Sequence, residues 1–315
     1  MGGKWPKRAI DGVLLLDKPV GMTSNGALQH ARRLYQAAKA GHTGNLDPLA
    51  SGLLPICFGE ATKFSHYLTD ADKRYRAVIR LGQTTDTGDA DGQVLETRPV
   101  EVSRAQVEAV LGRFVGEIEQ VPPMHSALKY QGRPLYHYAR KGVEVERAPR
   151  RVVIHELRLL DFTGDTLEVD VHCSKGTYVR VLAEDIGRLL GCGGHLAALR
   201  RTGVGPFSVD DAIALDRLEA MGEADRMAQL LPTDVLVADL PRIDLDADGA
   251  FYFRRGQALW LPRLEFSRVY RVYDEKQRFI GIAQVDRDGR LAPRRLLAES
   301  QAAAHQAEGG AGKSL

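Results

Sequence analysis

Strand-like and helix-like segments follow one another here without the regular strand–helix–strand alternation of a parallel sheet, and that order most restricts the fold. Val13 to Leu16 is a short apolar run that predicts a buried strand. Thr23 or Ser24 is placed to cap a following helix in which Leu28, Ala31, Leu34 and Tyr35 share a face, with Gly41 closing it. Tyr75, Ala77, Ile79 and Leu81 alternate on one side of a second strand, and Val94–Thr97 reads as its neighbour. A helix over 104–114 turns Val107, Val110, Leu111 and Phe114 inward. Strands follow over 152–160 and 167–173, the latter setting Leu167, Val169, Val171 and Cys173 against Glu168, Asp170 and His172. Gly176-Thr177 then leads into a helix through Leu190, ended by Gly191. The expectation is an α+β domain over 1–240, built on a mixed, largely antiparallel sheet flanked by helices.

Near Pro241 the character changes. Short strand-like pieces at 269–273 and 279–285, with an Asp288-Gly289 turn, predict a small β-rich module over 241–298. From 299 to 315 the chain is rich in Ala, Gln and Gly, which predicts disorder. No apolar run reaches membrane-spanning length, and the basic start lacks the apolar stretch of a signal peptide, so the expected compartment is the cytoplasm. Cys57, Cys173 and Cys192 form no CxxC pair and the histidines no HExxH, so neither a disulfide framework nor a metal is implied. Thr87 to Gly92 imitates an EF-hand start, but begins with Thr and meets Arg98 where the loop needs Glu.

The formal net charge of +2 announces no polyanionic partner, but its distribution does more. Between Leu128 and Arg151 lie seven basic residues (Lys129, Arg133, Arg140, Lys141, Arg147, Arg150, Arg151), with Tyr130, Tyr136, His137 and Tyr138 among them. Cations for phosphates beside flat rings for bases suit RNA, although a solvated surface loop has the same composition.

Residues 41 to 60 contain Gly41, Gly44, Pro48, Gly52, Pro55 and Gly59, a density that predicts a tightly turned loop. Pro48 biases Asp47 away from helical dihedrals, so its carboxylate is held. Taken alone, Asp47-Pro48 is more simply an Asx turn or a cap than a reactive group.

The whole segment Gly41-His42-Thr43-Gly44-Asn45-Leu46-Asp47-Pro48-Leu49-Ala50-Ser51-Gly52 closely resembles the signature G-H-T-G-x-L-D-P-L-A-x-G of the TruB family of pseudouridine synthases. Further blocks match in order: Asp17 to Ser24, Leu53 to Lys63, Asp72 to Tyr75, Leu81 to Thr87, Cys173 to Arg180 and Gly194 to Arg201. One departure is Asn45, where the family carries a small residue; Asn tolerates the same tight turn.

The resemblance implies the pseudouridine synthase fold with a PUA-like C-terminal module, and isomerisation of uridine 55 in the T-loop of tRNA after base flipping. It implies that Asp47 is the essential carboxylate, acting on C6 of the base, on C1′ of the ribose, or through a glycal. Arg180 would pair with Asp47, and Tyr75 would stack on the flipped base and assist at C5. Tyr178 and Leu199 would contact the target nucleotide, and His42 would fill the vacated stack. Lys18 and Lys63 would hold phosphate or anchor loops. The basic stretch falls where the family has an insertion that closes over the T-arm. The implied enzyme uses no cofactor and no metal, acts as a monomer and needs no protein partner. The rival readings are a tRNA folding factor and a guide-RNA-dependent subunit.

Overall fold

The computed structural model describes residues 7–298; the tail expected to be disordered, 299–315, lies outside them. One large sheet dominates. Its strands in spatial order are Ile213–Ala214, Gly12–Lys18, Ala50–Phe58, Gly194–Val204, Lys73–Leu81, Thr166–Cys173, Arg150–Thr163 and Gly116–Gln120. Two neighbour pairs are parallel, 12–18 with 213–214 and 50–58 with 194–204; the others are antiparallel. The expected α+β fold with a mixed, largely antiparallel sheet is therefore the observed one.

The alternation at 166–173 does what its pattern requires: Leu167, Val169, Val171 and Cys173 are buried and the residues between them are not. Helix Val179–Leu189 and helix Arg104–Gly112 cover that face, closing a core that includes Ala77, Ile79, Val107, Leu111, Leu182 and Ile186. Helix Ser24–Leu34 covers the other end, packing Ala27, Leu28 and Ala31 on Leu14, Leu16, Leu54 and Ile56. Thr23 is its cap, accepting from the Gly26 amide at 3.0 Å. The helix stops at Leu34, ahead of Gln36 at φ +54°; Gly41 does not close it but lies in strand Ala40–His42.

Two expectations need correcting. Val94–Thr97 is not a neighbour of the 73–81 strand; it pairs with Gln83–Thr85 in a separate, exposed two-stranded ribbon. Residues 41–60 are not one turned loop. They hold strand 40–42, a short loop over 43–49, and the nine-residue strand Ala50–Phe58, seven of whose residues after Ser51 are buried.

The glycine and proline of that strand have local reasons. One edge pairs with 12–18 along its full length; on the other, 194–204 pairs residues 50–52 and 40–42 pairs residues 56–58. Residues 53–55 thus face a break in the ladder. The Pro55 carbonyl accepts from the Thr43 amide at 3.2 Å, so the Pro55 nitrogen also faces the broken side, where no strand asks it for a proton. Gly52 runs against the neighbouring backbone: a Cβ there would lie 2.3 Å from the Arg201 carbonyl oxygen, and its φ is +103°.

The C-terminal part forms a four-stranded sheet of Arg242–Asp244, Val269–Tyr273, Phe279–Val285 and Leu291–Leu296, packed with helix Ala247–Arg254 around Phe253, Val272 and Ile280. It joins the main sheet through Ile282, which packs with Phe64, Leu236 and Val237, and through the Phe64 and Phe279 rings, 5.5 Å apart.

Gly52→Ala should cost about 2–3 kcal/mol, because both the dihedral and the contact with Arg201 are violated. Urea unfolding checks this, and an unchanged midpoint would mean that the two strands part without penalty.

Candidate active site

Asp47 stands in the loop 43–49, between the Ala40–His42 and Ala50–Phe58 strands. Both residues that flank it are tied down. Ser24, buried at the start of its helix, accepts from the Leu46 amide at 2.7 Å and donates to the Leu46 carbonyl at 3.0 Å. The Gly21 amide donates to the Pro48 carbonyl at 2.7 Å. The Ala50 amide closes a turn on the Asp47 carbonyl at 3.0 Å. The loop is held on both sides of one carboxylate, whose side chain remains 48% exposed.

Arg180, on helix Val179–Leu189, reaches that carboxylate from below, Nη2 to Oδ2 at 3.1 Å. It is only 6% exposed, and each of its three guanidinium nitrogens has a partner. Nη2 also meets the His125 carbonyl at 2.7 Å, Nη1 the Thr87 carbonyl at 3.2 Å, and Nε lies 3.4 Å from Asp89 Oδ2. Asp89 is itself buried, accepting from the Thr87 hydroxyl at 2.6 Å and the Asp91 amide at 3.2 Å. Crowding in the cleft raises the Asp47 pKa above the usual carboxylate value, and Arg180 opposes that rise. Its open face and the guanidinium in contact both favour the ionised form.

A second buried arginine underlies the loop. Arg201 is 1% exposed and fills the ladder break beside residues 53–55. Its Nε donates to the Leu53 carbonyl at 2.7 Å and its Nη1 to the Asn45 carbonyl at 3.3 Å. Burial raises the Tyr75 phenol pKa, with Arg201 pulling against it. Burial and then Arg201 lower the His42 imidazole pKa, so the ring next to the loop is neutral at neutral pH. Lys18 is fully buried and donates to the Pro19 and Met22 carbonyls at 2.8 and 2.6 Å; burial and then Arg201 lower its pKa to about 8.

Tyr178 precedes the Arg180 helix, its amide and carbonyl both bonded by the Gln120 side chain at 3.0 and 3.3 Å. Leu199 is partly buried on the 194–204 strand, in register with Ala50 on one side and Ala77 on the other. Asp47, Arg180, Tyr75, His42, Tyr178 and Leu199 thus come from elements gathered around one loop. Lys18 supports that loop's neighbour by gripping the 19–22 turn and offers nothing to solvent. Lys63 lies elsewhere, pairing with Glu60 at 2.5 Å and donating to the Leu296 carbonyl at 2.9 Å, where the C-terminal sheet meets the main one.

Residues 32–179 match the family model of the TruB pseudouridylate synthase N-terminal domain. Residues 180–238 match the tRNA pseudouridylate synthase B C-terminal domain, and 241–297 the C-terminal domain of pseudouridine synthase II TruB. The chain is 55% identical to tRNA pseudouridine synthase B of Methylobacillus flagellatus over 93% of its own length and 97% of that protein's. The like-named protein of Thiobacillus denitrificans is 57% identical, over 94% and 99%.

The chain belongs to the TruB family of pseudouridylate synthases.

Among solved structures, a Cbf5–Nop10–Gar1 complex matches with TM-score 0.68 and 25% identity, over 92% of this chain and 84% of that one. An H/ACA RNP bound to a substrate RNA containing 2′-deoxyuridine matches with TM-score 0.69 and 23% identity, over 92% and 86%, a likeness of fold. Among the described residues, no helix is long and apolar enough to cross a membrane.

Three supports of this TruB-family site carry no role in the sequence reading: Ser24, Asp89 and Arg201. Ser24 was one of two caps open to choice, and the loop claims it. Asp89 lies in the segment dismissed as a false calcium loop. For Arg201 a signal existed: it falls two residues after Leu199 on a strand, hence on the same face, where a charge needs an explanation.

Asp89→Asn removes the buried charge that offsets Arg180, and turnover should fall about 10- to 100-fold with tRNA affinity little changed; single-turnover kinetics beside filter binding separate the two. Lys18 also predicts a pH slope. Its folded pKa of about 8 lies below the ordinary lysine value of 10.5, so across that window the unfolded chain binds more protons and stability from this group rises with pH. Lys18→Met should flatten that rise in urea midpoints taken across the window.

Proposed function

We propose that this TruB-family chain converts uridine 55 in the T-loop of tRNA to pseudouridine, with Asp47 as the group that unlocks the glycosidic bond. The observation that carries this reading is an open carboxylate on a loop pinned at both flanks, oriented by an arginine that other groups hold at each of its nitrogens. The reaction breaks the N1–C1′ bond and forms C5–C1′; C5 gives up a proton and N1 gains one, so no oxidant or leaving group is involved. An ionised Asp47 is a competent nucleophile. The target nucleotide leaves its stack to reach it, and the neutral His42 ring is suited to take the empty place. Tyr75 and Tyr178 offer flat faces and phenols beside the base, and Leu199 an apolar contact.

The segment from Leu128 to Arg151 is the RNA clamp in this reading. Arg150 and Arg151 belong to the Arg150–Thr163 strand, with Arg151 near Glu117 at 3.3 Å, so the free cations are fewer than the composition implied. Lys129, Arg133, Arg140 and Lys141 are exposed, and among the described residues none of them is in an ion pair. Tyr130 and Tyr138 meet edge to face at 5.7 Å beside them. Leu135 and Val145 of the segment are buried. The β-rich C-terminal sheet is read as a PUA-like RNA contact. The enzyme acts as a cytoplasmic monomer without a protein partner, and sedimentation at the mass of one chain is the expected result.

Tritium release from C5-labelled uridine in an unmodified tRNA transcript tests the reading. The natural chain should release it without added guide RNA, and Asp47→Asn should release on the order of a thousandfold less while still binding tRNA. Release only with a guide RNA would favour the guide-dependent reading, and tight binding with no release the folding-factor one. Replacing residues 129–141 with a short Gly/Ser linker should weaken tRNA binding and lower its dependence on salt, because fewer counterions are released. Unchanged affinity in that variant would remove the clamp.

A further inference from the structure

On the outer face of the sheet, away from the helices, the Asp72 carboxylate meets two imidazoles. His155 Nε2 lies 3.1 Å and His172 Nε2 4.0 Å from Asp72 Oδ2, and the three ligand atoms lie within 4.8 Å of one another. The His155 and His172 rings are 4.8 Å apart at 47°. We propose that Asp72, His155 and His172 bind one first-row divalent cation, with Zn²⁺ the best match.

The backbone is shaped for this convergence. In the Arg150–Thr163 strand the buried positions run Val152, Ile154 and then Leu157, so the alternation slips by one residue. The slip is a bulge: Ile154 pairs with Cys173 and Glu156 with His172, leaving His155 unpaired between them. Without it His155 would point away from Ile154 but alone; with it, His155 and Glu156 both face outward, beside His172. Asp72 enters from the next strand, one residue before Lys73 pairs with Cys173. An ion pair with Asp72 needs one imidazole. The second is explained by a cation that takes both.

The donor set fits. Two imidazoles and one carboxylate suit Zn²⁺ and its first-row neighbours, and three protein ligands leave a fourth position for water. Ligand atoms about 2.0–2.1 Å from a tetrahedral ion are roughly 3.3 Å apart. His155 and Asp72 are near that spacing already, and His172 must close by about an ångström, a movement that partly exposed side chains make by torsion. Of the charged neighbours, Arg74 works against a cation and Glu156 for it. Cys173 follows His172 but is fully buried on the opposite face, so its thiol is not a ligand. A bound ion would staple three strands where the basic segment returns to the sheet and where the Tyr75 strand begins. It is structural, and the isomerisation proposed above does not pass through it.

The test uses the full chain without a polyhistidine tag, stripped with EDTA and dialysed. Co²⁺ should bind at one equivalent with the visible bands of a tetrahedral site, and Zn²⁺ should displace it. Zn²⁺ should raise the unfolding temperature by a few degrees. His155→Ala and His172→Ala should each weaken binding by at least the roughly 10–100-fold seen when metal sites lose outer-shell partners. Their metal-free unfolding temperatures, equal to that of the natural chain, show that the fold is kept. Absence of saturable Co²⁺ binding, binding untouched by both substitutions, or a thiolate-to-cobalt charge-transfer band would each overturn the site. Pseudouridine formation persisting in EDTA is expected, so the metal site and the isomerase reading fail independently.

Discussion

A buried guanidinium occupies the place where the hydrogen-bond ladder of the main sheet breaks. Among the described residues, Arg201 has no carboxylate partner; backbone carbonyls of Leu53 and Asn45 accept from its Nε and Nη1, and its Nη2 is buried without a hydrogen-bond partner. Desolvating a full charge is costly, and its hydrogen bonds recover only part of that cost. Its placement ties together the strand that follows the Asp47 loop, the loop itself and the phenol of Tyr75. Burial, and after it the same charge, lowers the proton affinity of Lys18 and His42, so His42 is neutral at neutral pH while Lys18, at about 8, stays mostly protonated. Gly52 is the geometric counterpart: only a residue without Cβ lets the 50–58 strand run against the Arg201 backbone.

The acidic side of the cleft solves a different problem. An arginine offered only to Asp47 would lose its fixed position whenever that carboxylate turned to a substrate. Arg180 avoids this because Asp89 and the carbonyls of Thr87 and His125 hold it from other directions. Asp47 therefore receives an oriented donor while keeping one face open. The two arginines divide the work: Arg201 holds the loop's backbone, and Arg180 holds its side chain.

Period-two patterns at 73–81 and 166–173 make the central strands legible, because each buries one face only, and the periodic helices over 24–34, 104–112 and 179–189 are readable from their apolar spacing. The segment 41–60 misled for a physical reason. Glycine and proline read locally as turn signals, but Pro55 sits at a ladder break that exists only because two different strands share one edge, and Gly52 answers a backbone from a strand over 140 residues later. Strand 94–97 reads as a neighbour of 75–81 because its four exposed residues carry no record of which strand they join.

The amino-acid sequence by itself determined the α+β class, the family through its ordered motif blocks, and Asp47 as the residue around which the chemistry is read. These are local: they depend on alternation, capping and runs of consecutive residues. The motif blocks also implied Arg180 as its partner; only the tertiary structure decided what holds that pair in place, because Ser24, Asp89 and Arg201 are far apart in the chain and meet through the register of one sheet and the helices laid on it. It also decided that Lys18 and Lys63 are backbone anchors, and that His155 and His172 share a face. A single-residue bulge reverses the side to which a strand's residues point, and nothing in the local pattern announces it.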